Sequence, residues 1–135
     1  MRNLISTQWH AFLDYMSAFT LLIGPWLFGY SDDPTGKSIS LLFGGLIILM
    51  SLLTRYEGGL FKAVPMALHL NIDVLVGLFL IISPFIFDLM YEAYLFFVLI
   101  GFFILGSGLF SLPTPKKHHP PVDIRYDTDR EGNIE

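Results

Sequence analysis

HAFLDYMSAFTLLIGPWLF, residues 10–28, and HLNIDVLVGLFLIISPFIF, residues 69–87, decide the fold of this chain. Each is a long apolar run with a His and an Asp four residues apart at its start and a proline near its end. Set one above the other, His10 meets His69, Asp14 meets Asp73, Gly24-Pro25-Trp26 meets Ser83-Pro84-Phe85 and Phe28 meets Phe87, all at an offset of 59 residues. A further apolar segment follows each run, and these two pair at an offset of 56 through Gly45/Gly101 and Ser51/Ser107. The chain therefore reads as a duplicated two-helix unit.

A helix rising about 1.5 Å per residue crosses a hydrocarbon layer of roughly 30 Å in about 20 residues. Four segments come near that length: 9–30, 38–54, 68–89 and 93–112. Of the 135 residues, 53% are hydrophobic and only 15% charged, and the charges crowd into turns and the C-terminal stretch. These observations predict an all-α fold, an integral membrane four-helix bundle made of two parallel-repeated transmembrane hairpins. With two spans per unit, the halves point the same way and are related by a pseudo-two-fold axis along the membrane normal. The units fall at 1–62 and 63–112, with a polar tail at 113–135. The chain has no cysteine, which excludes disulfides, thiolate metal sites and thiol catalysis. The first apolar segment has no small-residue cleavage site and is expected to be retained as a span.

SDDPTGK, residues 31–37, breaks the helix through its Asp-Pro step. The third and fourth spans are joined by a few residues around Met90 and Tyr91. RYEGGLFKAVPMA, residues 55–67, is expected to run along the membrane surface, with Pro65 as the first residue of the third helix. Arg2, Arg55, Lys62, Lys116 and Lys117 fall on one side and Lys37 alone on the other, which predicts a protein of the cytoplasmic (inner) membrane with both termini cytoplasmic. Asp32, Asp33, Asp88 and Glu92 would then face the opposite side. Trp9, Tyr30, Tyr56, Tyr91 and Tyr94 lie near span ends, where amphipathic rings favour the headgroup level. The tail is rich in proline and charge, and its composition predicts disorder unless a partner holds it. His118-His119 within it reads as a solvated pair.

Pro25 and Pro84 each delete a backbone hydrogen bond, so each helix should kink or end there, with the freed carbonyl satisfied by Ser83, Thr20 or a neighbouring helix. The small residues Ser40, Gly44 and Gly45, and Gly101, Ser107 and Ser111, offer faces for close helix packing. His10/Asp14 and His69/Asp73 occupy i and i+4 and share a helix face. Intramembrane ionisable groups face the protein interior or water, so both pairs should point inward. Three roles suit them: a polar clamp between the repeats, a metal or haem site centred on His10 and His69, or a proton or ion relay. The clamp is the preferred expectation, with no cofactor required. No phosphate-binding loop, nucleophile triad or basic nucleic-acid patch is recognisable, so neither enzyme activity nor nucleic-acid binding is expected.

The paired Pro-aromatic motifs resemble the SPW-repeat membrane proteins of bacteria and archaea, named for a Ser-Pro-Trp motif late in an apolar helix. Here Gly24-Pro25-Trp26 and Ser83-Pro84-Phe85 each depart from it at one position. The resemblance covers residues 9–111 and implies a small multi-pass membrane protein, with no established activity or cofactor attached. The expected role is a structural or accessory subunit that packs in the bilayer with other membrane subunits or with copies of itself.

Overall fold

The computed structural model describes residues 4–113. They form four helices: α1 (Thr7–Leu27), α2 (Pro34–Leu53), α3 (Met66–Phe87) and α4 (Tyr91–Phe110). The expectations for Arg2 and for the tail beyond residue 113 lie outside the described residues.

Local chemistry sets the helix ends. Ser6 caps α1, its hydroxyl accepting from the Trp9 amide at 3.4 Å. Asp33 caps α2 by accepting from the amides of Thr35 and Gly36, with Pro34 in the first turn, where proline loses no helical bond. Pro65 is not the first helical residue, as expected from sequence, but the cap one position earlier, in an extended conformation. Its carbonyl already accepts from Leu68 and His69. At the far end of α3, Asp88 adopts a left-handed conformation that stops the helix.

Both prolines lie inside their helices, and α1 and α3 run only two and three residues further before ending at Leu27 and Phe87. Each proline leaves the carbonyl four residues earlier without its helical donor. At Pro84 that carbonyl is Leu80, which accepts from the Ser83 hydroxyl at 3.1 Å. At Pro25 it is Leu21, which accepts at 2.6 Å from Ser40 of α2. Thr20 instead bonds the Met16 carbonyl of its own helix. The two repeats thus satisfy equivalent orphan carbonyls by different routes.

The interior combines an apolar core, with Leu21, Ile47, Leu80, Phe97 and Ile104 buried between the helices, with many buried polar side chains, and the outside is apolar. His10, Asp14, Ser17, Ser40, Ser51, Thr54, His69, Asp73, Ser83, Ser107 and Ser111 are buried, while Phe19, Trp26, Leu42, Leu75, Phe85 and Leu99 are exposed. That distribution suits lipid as the surrounding solvent, because internal hydrogen bonds must satisfy polar groups that water cannot reach. α2, α3 and α4 are long and apolar enough to cross a membrane. α1 matches them in length and carries the inward-facing His10, Asp14 and Ser17.

Within each hairpin the backbones approach closely. A Cβ on Gly44 would meet the Ala18 carbonyl at 3.0 Å, and one on Gly77 would meet the Leu105 amide at 2.6 Å and the Gly101 carbonyl at 2.8 Å. These contacts correct the repeat register. α2 and α4 superpose in pattern at an offset of 57, not 56: their bounds coincide, and the buried set Gly36, Ser40, Gly44, Ile47 and Ser51 maps onto Ala93, Phe97, Gly101, Ile104 and Gly108. Gly45 faces open space. Two bridges repeat the symmetry, since Ile5 pairs with Ser111 and Thr54 with Val64.

The halves meet at both ends of the bundle. At one end, Asp33 reaches across to accept from the Met90 amide at 3.0 Å, tying the first hairpin turn to the second. It is buried there rather than facing solvent. Tyr30 and Tyr56, expected at the headgroup level, are also buried: the Tyr30 hydroxyl bonds Ser40 and its ring packs on Phe96 and Phe97. Trp9 and Tyr91 remain exposed. The opposite end holds His10 and His69.

Candidate functional site

His10 and His69 are each the fourth residue of their helix, α1 and α3, and Asp14 and Asp73 follow one turn later. The two helices start at the same end of the bundle, so the four side chains converge on one point between the repeats. The inward orientation read from sequence holds for all four. His10 and His69 are fully buried, and Asp14 and Asp73 are 5% and 3% exposed.

The donors and acceptors alternate around a closed ring. His10 Nε2 lies 3.3 Å from Asp14 Oδ2 and 3.1 Å from Asp73 Oδ2. His69 Nε2 lies 2.9 Å from Asp14 Oδ2 and 3.3 Å from Asp73 Oδ2. Each His therefore contacts the carboxylate of its own helix and that of the other repeat. The cross-repeat contacts are the shorter ones, which makes the ring an inter-repeat joint rather than two independent i,i+4 pairs.

The far side of each imidazole is also held by the opposite repeat. Thr54, at the end of α2, lies 2.9 Å from His69 Nδ1, and Ser111 and Ser107 of the second repeat lie 2.8 and 2.9 Å from His10 Nδ1. The hydroxyl protons of Thr54 and Ser111 are already committed, to the carbonyls of Met50 and Ser107 at 2.6 Å each. Since a hydroxyl has one proton, these two oxygens accept, which places hydrogen on His69 Nδ1 and favours it on His10 Nδ1, where the Ser107 hydroxyl also lies in reach. Both Nε2 atoms are left to face the carboxylates.

The symmetry breaks at the carboxylates. Asp14 Oδ2 accepts from His69 Nε2, from the Ser51 hydroxyl at 3.1 Å and from the Tyr56 hydroxyl at 3.4 Å. Burial pushes the Tyr56 phenol above its ordinary pKa, so it remains a donor. At the corresponding positions the second repeat has Gly108 and Pro113, which donate nothing from a side chain. Asp73 Oδ2 and His10 Nε2 are buried without an aligned hydrogen bond among the described residues, although they lie 3.1 Å apart.

Sequence reasoning finds the four ring members but not the groups that aim them. In the sequence Ser107 and Ser111 read as helix-packing residues, Ser51 as a marker of the repeat, Thr54 as a span end and Tyr56 as an interfacial ring. The available signal is a hydroxyl-bearing residue at 54 and at 111, in register at the offset of 57. The other sequence-predicted motif lies apart from the ring, late in α1 and α3. There Trp26 and Phe85 project outward, 62% and 66% exposed, while Gly24, Pro25, Ser83 and Pro84 are buried.

No curated protein and no solved structure matches the chain. The family model of the SPW repeat domain matches residues 8–111, which takes in all four ring residues and both proline motifs. By that match over most of its length, and by the duplicated helix pair that carries it, the chain belongs to the SPW repeat family.

Proposed function

We propose that the protein is a structural membrane subunit, whose two hairpins are locked together by the His/Asp ring and whose apolar exterior packs against other subunits or copies of itself. The observation that carries this reading is the cross-repeat connectivity of the ring: each His is held between carboxylates of both repeats, and no ring residue is more than 5% exposed. A closed joint of this kind favours assembly over turnover, since a substrate has no open approach to it. In this reading all four helices span the cytoplasmic membrane, both termini are cytoplasmic, and the protein is not an enzyme.

Extraction from native membranes in mild detergent, followed by sizing and mass spectrometry of what co-migrates, tests the assignment. Other subunits or further copies at fixed stoichiometry are expected. A free monomer recovered at every detergent-to-protein ratio would overturn it.

A further inference from the structure

Four nitrogen and oxygen atoms that converge in a buried space can be held by protons or by a cation. The ring atoms of His10, Asp14, His69 and Asp73 all lie within 4.8 Å of one another. With neighbouring atoms 2.9–3.3 Å apart and a spread of 4.8 Å across the group, the four atoms lie nearer a square than a tetrahedron, and a central point sits about 2.2–2.4 Å from them, at or a few tenths of an ångström beyond the usual zinc–nitrogen and zinc–oxygen bond lengths. His10 Nε2 and Asp73 Oδ2 border that centre, buried and 3.1 Å apart without an aligned hydrogen bond between them.

We propose that His10, Asp14, His69 and Asp73 form a mononuclear site for a divalent first-row transition-metal ion, zinc in the first instance. The tautomer supports it: Nδ1 of each ring faces a hydroxyl whose proton is committed elsewhere, so a ring that gives up its Nε2 proton as the ion enters presents the Nε2 lone pair to the centre. Thr54 and Ser111 thereby serve as the outer hydrogen bonds that orient metal-binding histidines. Charge supports it too, because two carboxylates and a dication sum to zero, as a buried site in a low-dielectric bundle requires. Two imidazoles select a transition metal over magnesium or calcium, which prefer all-oxygen shells. Haem does not fit, because the imidazole centroids are 5.3 Å apart and both carboxylates occupy the space a porphyrin needs between them. Tyr56, which donates to Asp14, also lines a groove of about 350 Å³ with Arg55, Glu57 and Lys62, so the ring lies one side chain away from that groove.

The inference rests on the ring as the inter-repeat lock but not on any choice of partner. Its test is the metal content of the full-length protein, purified in mild detergent with a non-histidine tag, loaded with zinc and desalted. About one zinc per chain is expected, with roughly two protons released on loading if the ring is otherwise held by protonated imidazoles. His69→Gln and Asp73→Asn should each reduce retained zinc at least tenfold, whereas the tail variant His118→Ala/His119→Ala should retain it. Should the ring variants fail to fold, X-ray absorption on the zinc-loaded tail variant decides, and two imidazole nitrogens with two oxygens are expected. Folded wild type retaining under a tenth of an equivalent of zinc or cobalt overturns the proposal, as does an all-oxygen shell or zinc lost with the tail histidines. Those results leave the co-migration test of the subunit reading untouched.

Discussion

At the scale of single residues, the two repeats solve one problem twice. Pro84 frees the Leu80 carbonyl, and Ser83 beside it donates the replacement bond. In the first repeat Gly24 stands where Ser83 does, and Ser40 crosses from α2 to the Leu21 carbonyl while bonded to Tyr30. A Cβ at Gly24 would come within 2.6 Å of the Tyr30 hydroxyl and 3.0 Å of the Phe96 ring, so tyrosine at 30 requires glycine at 24. Ser40→Ala should cost about 1–3 kcal/mol, the penalty for an unpaired buried carbonyl, measured by thermal unfolding in detergent. In a Gly24→Ser/Tyr30→Leu background the same change should cost less, because the introduced hydroxyl can donate as Ser83 does; an equal cost would refute the compensation. In the ring, Asp14→Asn removes one charge from a buried, mutually paired set and should destabilise by about 3–5 kcal/mol. A loss below about 1 kcal/mol in the same unfolding measurement, well short of that range, would show that the ring holds nothing together.

At the scale of helices, close backbone approach dictates where side chains are forbidden. Gly77→Ala places a methyl group against the Leu105 amide and the Gly101 carbonyl, and backbone cannot swing aside as a flexible side chain can. It should separate α3 from α4 and lower the unfolding temperature, whereas Gly45→Ala, which meets only open space, should leave it unchanged or raise it through better helix propensity. Equal effects at the two sites would contradict the packing described. Asp33 works at this scale as well: Asp33→Ala loses the α2 cap, worth about 0.5–2 kcal/mol, together with the tie to Met90. Hydrogen exchange should therefore quicken in both hairpin turns, and quickening confined to residues 33–36 would show that the tie is idle.

At the scale of the whole molecule, the exterior of the helices is apolar and their His and Asp side chains are buried, so the bilayer is the solvent and the loops carry the topology. The absence of cysteine from the chain makes single-cysteine reporters clean. With the orientation proposed above, Glu57→Cys, exposed in the loop between α2 and α3, should react with a membrane-impermeant maleimide only from the cytoplasmic face. Asp32→Cys, exposed in the first hairpin turn, should react only from the opposite face. Labelling of both from one side would refute a hairpin that crosses the membrane.

The sequence by itself determined that there are four helices, that the second pair repeats the first, and that His10, Asp14, His69 and Asp73 face inward, because hydropathy, proline position and i,i+4 spacing are properties of local chain geometry. The register of α2 against α4 was out of its reach. At an offset of 56 two identities align, Gly45 with Gly101 and Ser51 with Ser107, yet one residue turns a helix by about 100°, and only the packed bundle shows which face is buried. It was also left to tertiary structure to join the two His/Asp pairs into one ring, to bring Thr54 and Ser111 behind the imidazoles of the opposite repeat, and to bury Tyr30 and Tyr56. The hydroxyl contacts behind the imidazoles link residues 15 and 101 positions apart along the chain, and they exist only once the two hairpins have closed on each other.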